Sequence, residues 1–145
     1  MLHVAYSAQN GSKRVVVRAS DTDVVTLCIY YADKIRGLKK LWIWKSMNEF
    51  IPAHEIAASL GPTIVNVLPA LHAITGCDTT SRLYRKGKKS AMRIIKQDVT
   101  IAENLSKLAP VGSSLQPSIV EDALCGARHL LLKCMGGLRL LPLMS

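Results

Sequence analysis

Few patterns leave a backbone as little choice as Val15-Val16-Val17, a β-branched run set between Arg14 and Arg18. Branching at Cβ crowds a helix and packs well on a pleated surface, so the run predicts a buried central strand. It gives way to Ser20-Asp21-Thr22-Asp23, after which apolar residues recur at Val24, Leu27, Cys28, Tyr31 and Ile35. That spacing gives a helix one buried face, and Gly37 is placed to end it. Leu41-Trp42-Ile43-Trp44 then reads as a second strand, with Trp42 and Trp44 on one side and packed under a helix. Strand, helix and strand make a βαβ unit, which implies a parallel sheet with a right-handed crossover. The fold class is α/β.

Around this unit, residues 2–9 are helix-compatible until Gly11-Ser12 breaks them. Pro52 suits a first helical position, with a helix from Glu55 to Leu60 closed by Gly61. Pro62 opens another segment, with Ile64, Val65, Leu68, Leu71 and His72 at helical spacing up to Thr75-Gly76. Downstream, residues 98–109 look helical and Pro110 to Pro117 form a turn-rich link. A last helix is expected from Ser118 to about Cys134, its first turn carrying Glu121 and Asp122. A length of 145 residues suits one domain, divided into a core over 1–81 and a basic segment with a helical extension over 82–145.

This size excludes an enzyme with separate cofactor and substrate domains, and 49% apolar residues exclude a disordered chain. Met1 to Arg14 contains no apolar core of a secretory signal, and Leu130–Leu143 is too short and too charged to span a bilayer. Cys28, Cys77, Cys125 and Cys134 form no CxxC pair, so the expectation is reduced thiols, an intracellular protein and no disulfide-linked partner.

Charge points to the partner. The formal net charge is +9. Seven cations, Arg82, Arg85, Lys86, Lys88, Lys89, Arg93 and Lys96, fall between 82 and 96 with no acid among them. Such a cluster suits contacts to phosphate, which hold a nucleic acid without reading its sequence. A solvated loop or a nuclear-localisation patch is the competing explanation. Nucleic acid is the expected partner, DNA before RNA, with a nuclear location before a cytoplasmic one and no membrane role. Gly87-Lys88-Lys89-Ser90 lacks the earlier glycine of a phosphate-binding loop, and no histidine follows His54-Glu55 at metalloprotease spacing. His72, on an apolar helical pattern, is expected to be a hydrogen-bonded core or boundary residue.

Asp21 and Asp23 stand where the first strand yields to its helix, the end at which parallel sheets bind ligands. Asp78 follows an apolar helix and Gly76. Each has a structural explanation as a helix cap, with Ser20 and Asp23 spaced like a capping box. Converging carboxylates also suit a magnesium site for phosphodiester chemistry.

The blocks Val-Val-Val-Arg-Ala-Ser-Asp-Thr-Asp at 15–23 and Leu-His-Ala-Ile-Thr-Gly-Cys-Asp-Thr-Thr at 71–80 resemble the PIN-like nucleases of the flap-endonuclease type. The likeness extends over about residues 2–135, nearest to a large set of animal proteins with this core, many tied to mobile elements. It implies a PIN-like parallel sheet flanked by helices and a metal-dependent nuclease. Asp21, Asp23 and Asp78 would be its catalytic and metal-holding residues, with Mg2+ or Mn2+ as cofactor. Arg82, Arg85, Lys86, Lys88, Lys89 and Arg93 would be the nucleic-acid contacts.

Two departures follow. The family carries a further acidic block before this strand, whereas no acidic residue precedes Asp21, so the expectation is a domain incomplete at its N-terminus. The family's glycine-rich hairpin after the G-x-D block is replaced by Ser81 to Lys89. The alternatives are an inactive remnant that binds nucleic acid or protein, and a haloacid-dehalogenase-like phosphatase using Asp21 as nucleophile.

Overall fold

A computed structural model describes residues 1–76, 87–108 and 117–135. The elements are α1 (Leu2–Gln9), β1 (Arg14–Arg18), α2 (Thr22–Tyr31), β2 (Lys40–Ser46), β3 (Glu49–Pro52), α3 (Ala53–Ile74), α4 (Lys88–Gln97), α5 (Val99–Ser106) and α6 (Pro117–Cys134). The chain is α/β, with a small mixed sheet of three strands and helices around it.

The βαβ unit is present: β1 lies parallel to β2, with Val15 opposite Leu41 and Val17 opposite Ile43. Its helix is shorter than the apolar spacing suggests. It stops at Tyr31, and Ala32–Gly37 turn before Lys39 and Lys40 donate their backbone N–H groups to the Lys13 carbonyl at 2.8 and 3.0 Å. Gly37 holds φ +88°, a left-handed conformation that suits the end of this turn.

The sheet corrects the expectation of a purely parallel one. Strand β3 is antiparallel to β2, through a hairpin in which Ser46 faces Glu49 across Met47-Asn48. The order β1-β2-β3 therefore makes β2 central and β1 an edge. The three valines are not buried on both faces either, since Val16 is 57% exposed while Val15 and Val17 pack on the core.

Two apolar clusters hold the chain. The first joins Leu41 and Ile43 with Val4 of α1, Cys28 and Tyr30 of α2, and Ala53, Ala57 and Val65 of α3. The second joins Val67 and Leu71 of α3 with Ala91 and Ile95 of α4, Ile101 and Leu105 of α5, and Leu130 of α6. Helix α3 is thus common to both. It is bent at Gly61 (φ +77°, ψ 163°), ahead of Pro62, which has no N–H to continue the ladder. The break that Gly61-Pro62 signals in the sequence is real, and the two pieces run on as one kinked element. By length and composition Ala53–Ile74 could cross a membrane. Its buried residues instead pack into the two clusters.

The C-terminal helices are tied by side chains. Asp98 caps α5, accepting from the N–H groups of Thr100 and Ile101, and its other oxygen takes the Lys133 ammonium of α6 at 2.6 Å. The expected acidic first turn of the last helix is displaced: α6 begins at Pro117, so Glu121 and Asp122 fall in its second turn, and Asp122 pairs with Lys107 of the preceding turn at 2.6 Å. Of the cysteines described, Cys28 and Cys134 are buried, Cys125 is exposed, and none is in a disulfide.

Two measurements test this packing. Gly126 of α6 is buried against α5, where an added Cβ would lie 2.9 Å from the Asn104 Cβ and 3.3 Å from the Leu105 backbone and side chain. Gly126→Ala should destabilise the protein by about 1–3 kcal/mol in urea unfolding, overriding alanine's better helix propensity. The Lys133 ammonium and the cap hydrogen bonds lower the pKa of Asp98 below the usual 3.8. Its stabilising contribution is therefore complete above pH 4 or so and is lost as pH falls below that value. Asp98→Asn should flatten this part of the acid-unfolding curve while keeping most of the cap.

Candidate functional site

The carboxylates lie at the end of β1. The chain leaves the strand at Arg18, and Ala19 still donates to the Trp44 carbonyl at 3.1 Å, so Ser20 and Asp21 emerge at the C-terminal edge of the parallel pair. Asp21 is the N-cap of α2: it is extended (φ −74°, ψ 133°) and its carboxylate accepts from the Asp23 N–H at 2.8 Å. The capping function falls to Asp21 rather than to Ser20. Asp23, in the first turn, opposes the helix dipole favourably.

Asp23 is also joined to His72 across 49 residues of sequence, its Oδ1 meeting the imidazole Nε2. The contact draws the C-terminal half of α3 onto the start of α2, and the His72 side chain is only 13% exposed against 39% for Asp23. One turn on, the Thr75 hydroxyl is buried and donates to the Leu71 carbonyl at 2.7 Å, and Gly76 follows in a left-handed conformation at φ +95°. His72 is thus the hydrogen-bonded boundary residue that its apolar setting predicts. Its partner is not foreseeable, because nothing in the spacing of Asp23 and His72 marks them as neighbours.

A carboxylate on one ring nitrogen fixes the ring and leaves the other nitrogen to exchange protons or bind a ligand. As a metal centre the described residues fit poorly. No group of three acidic, histidine or cysteine side chains is gathered among them. One oxygen of Asp21 is committed to a cap and one of Asp23 to His72, whereas Mg2+ seeks six oxygens in regular array. Asp78, the third expected ligand, lies outside the described residues, as do Arg82, Arg85 and Lys86.

The remaining expected contacts lie on α4. Lys88, Lys89, Arg93 and Lys96 are exposed, while Ala91 and Ile95 face the core. No carboxylate pairs with these four cations among the described residues, because nearby acids are engaged elsewhere: Asp98 with Lys133 and Asp122 with Lys107. A second basic group does not show in the sequence. Strand register sets Arg14 opposite Lys40, and Lys13 and Lys39 precede them at the same end of the sheet. These cations are scattered in sequence and adjacent only through the parallel pairing.

The tryptophans correct another expectation. Leu41 and Ile43, both 0% exposed, face the helices, and Trp42 and Trp44 occupy the opposite side of β2. There the Arg18 guanidinium lies 5.0 Å over the Trp44 ring, which stacks on Phe50 at 6.1 Å, while Trp42 meets His54 edge-on at 5.5 Å. A groove of about 960 Å³ between α1 and α2 is lined by residues such as Leu2, Leu27, Tyr31 and Ile35, and by none of Asp21, Asp23 and His72.

Comparison with protein-family models, with curated proteins and with solved structures finds no match for this chain.

The Asp23–His72 contact should register as a coupling. In a double-mutant cycle of Asp23→Ala and His72→Ala, the interaction energy from urea unfolding should be about 0.5–3 kcal/mol, as for contacting polar pairs. Asp21→Ala should separately cost about 0.5–2 kcal/mol as the loss of an N-cap, with no coupling to His72→Ala.

Proposed function

We propose that this chain is a nucleic-acid-binding domain of nuclease-like, PIN-like α/β type, engaging its ligand chiefly through phosphate. One observation carries the reading: acidic side chains neutralise Lys34, Lys45, Lys107 and Lys133, while the exposed cations of α4 have no acidic partner among the described residues. Lys89, Arg93 and Lys96 recur at helical spacing on its solvent side, a row suited to successive phosphates. The segment before α4 adds Arg82, Arg85 and Lys86 in sequence. Binding of this kind releases counterions and weakens steeply with salt.

Phosphodiester hydrolysis is what the resemblance adds to this reading. It needs more free oxygens than Asp21 and Asp23 offer, so it turns on Asp78. The chain's own contribution at the described residues is the Asp23–His72 pair, which fixes an imidazole beside the strand end.

Fluorescence anisotropy with labelled oligonucleotides tests the proposal. Affinity should fall steeply between low and physiological salt. Lys89→Glu with Arg93→Glu should reduce the slope of log K against log salt by about 0.7–0.9 for each phosphate that is no longer neutralised. Salt-independent binding, or none at low salt, would refute it. Adding Mg2+ to the same mixtures reads hydrolysis: shortened products that vanish in Asp78→Asn would establish the nuclease, and intact oligonucleotide would leave binding alone.

A further inference from the structure

One face of the sheet is covered by helices and the other is partly open: Trp42 and Trp44 are half-buried on it, beside exposed neighbours. Along β1 the exposure alternates, with Arg14, Val16 and Arg18 exposed and Val15 and Val17 packed inward. Register carries the open side across the sheet, setting Val16 opposite Trp42, Arg18 opposite Trp44, and Trp44 opposite Phe50. Val16, Trp42, Trp44 and Phe50 belong to neither apolar cluster. Val16 and Phe50 are 57% and 52% exposed.

An open apolar sheet face needs an occupant, and its chemistry selects among them. Three aromatic rings stand beside Arg14, Arg18 and Lys40, and no strand residue on this side is acidic. Glu49, on the alternate side of β3 from Phe50, is already paired with Lys45 at 3.1 Å. A second copy of the chain would bring the same cations into opposition, so like charge disfavours self-pairing here. A flexible strand with bases and phosphates meets both properties at once: ring surfaces stack on aromatics while cations track the backbone. In the cross-strand row, Arg18 from β1 and Phe50 from β3 flank Trp44, so the far side of Phe50, on the sheet's edge, remains for a base. The Trp44 indole N–H is enclosed and has no acceptor among the described residues.

We propose that this open face, built from Arg14, Val16, Arg18, Trp42, Trp44 and Phe50, binds single-stranded nucleic acid. This rests on the nucleic-acid reading above and names both the strandedness and a surface distinct from α4. Duplex offers no free base faces and is expected to bind through α4 alone.

The chain's two tryptophans both lie on this face, so their fluorescence reports its occupancy directly. In titrations of the whole chain with unlabelled oligodeoxythymidylate of about a dozen nucleotides, emission should fall to saturation. A duplex of equal length should leave emission nearly unchanged. Phe50→Ala should weaken single-strand binding roughly tenfold, as expected for the loss of one base stack. Val16 is exposed, so its substitutions test charge with little cost to folding, which far-ultraviolet circular dichroism verifies. Val16→Glu should weaken and Val16→Lys strengthen single-strand binding. Lys89→Glu with Arg93→Glu should lower affinity while preserving the tryptophan signal. The proposal is overturned if anisotropy shows binding with no change in emission, or if both Val16 variants bind as the parent does; the general nucleic-acid reading then survives on α4. Absence of binding to any oligonucleotide overturns both. A dimer in sedimentation velocity that is broken by both Val16→Glu and Val16→Lys would assign the face to a second copy and also overturn the proposal.

Discussion

Helix α3 is the element on which both halves of the molecule depend. Its first part supplies Ala53, Ala57 and Val65 to the core beneath the sheet, and its second part supplies Val67 and Leu71 to the core among α4, α5 and α6. The bend at Gly61-Pro62 lets one apolar helix face two directions, since a straight rod could not present both stripes to separate cores. The same helix carries His72 to Asp23, so packing on α2 and the geometry of the strand-end carboxylates are set by one placement.

Charge is partitioned between the two halves as well. Most acidic side chains in the described residues are engaged in ion pairs or caps, each a modest contribution when solvent-exposed. Their larger effect is on what remains among the described residues: cations without acidic partners on α4, and others at the sheet where Arg14 lies opposite Lys40 and Arg18 covers Trp44. Two surfaces of different chemistry result. One is a charged helix, and the other mixes cations with aromatic rings on the sheet.

Much of the local structure is legible in the sequence. Val15-Val16-Val17, the helical spacing after Asp23 and the Leu41–Trp44 strand define the βαβ unit that is found, and Gly61-Pro62 marks the bend. What is not legible depends on partners distant along the chain. β3 has four residues and no lengthy alternation, and its antiparallel pairing follows from a tight hairpin at Met47-Asn48. Large rings favour burial, which argues for Trp42 and Trp44 under a helix, but the smaller Leu41 and Ile43 fill the helix-facing side. At the candidate site, the spacing identifies Asp21 and Asp23 at the strand end, whereas the partner of Asp23 comes from a helix 49 residues away.

One kinked helix unites two cores, and equilibrium unfolding followed by two probes tests this most directly. Tryptophan emission reports the sheet half, where both Trp42 and Trp44 reside. Far-ultraviolet circular dichroism is weighted by the helices, including α4, α5 and α6. A shared α3 predicts coincident urea midpoints and slopes for the two probes. Separate transitions, with emission changing while the helical signal persists, would show that the two cores fold independently and contradict the account.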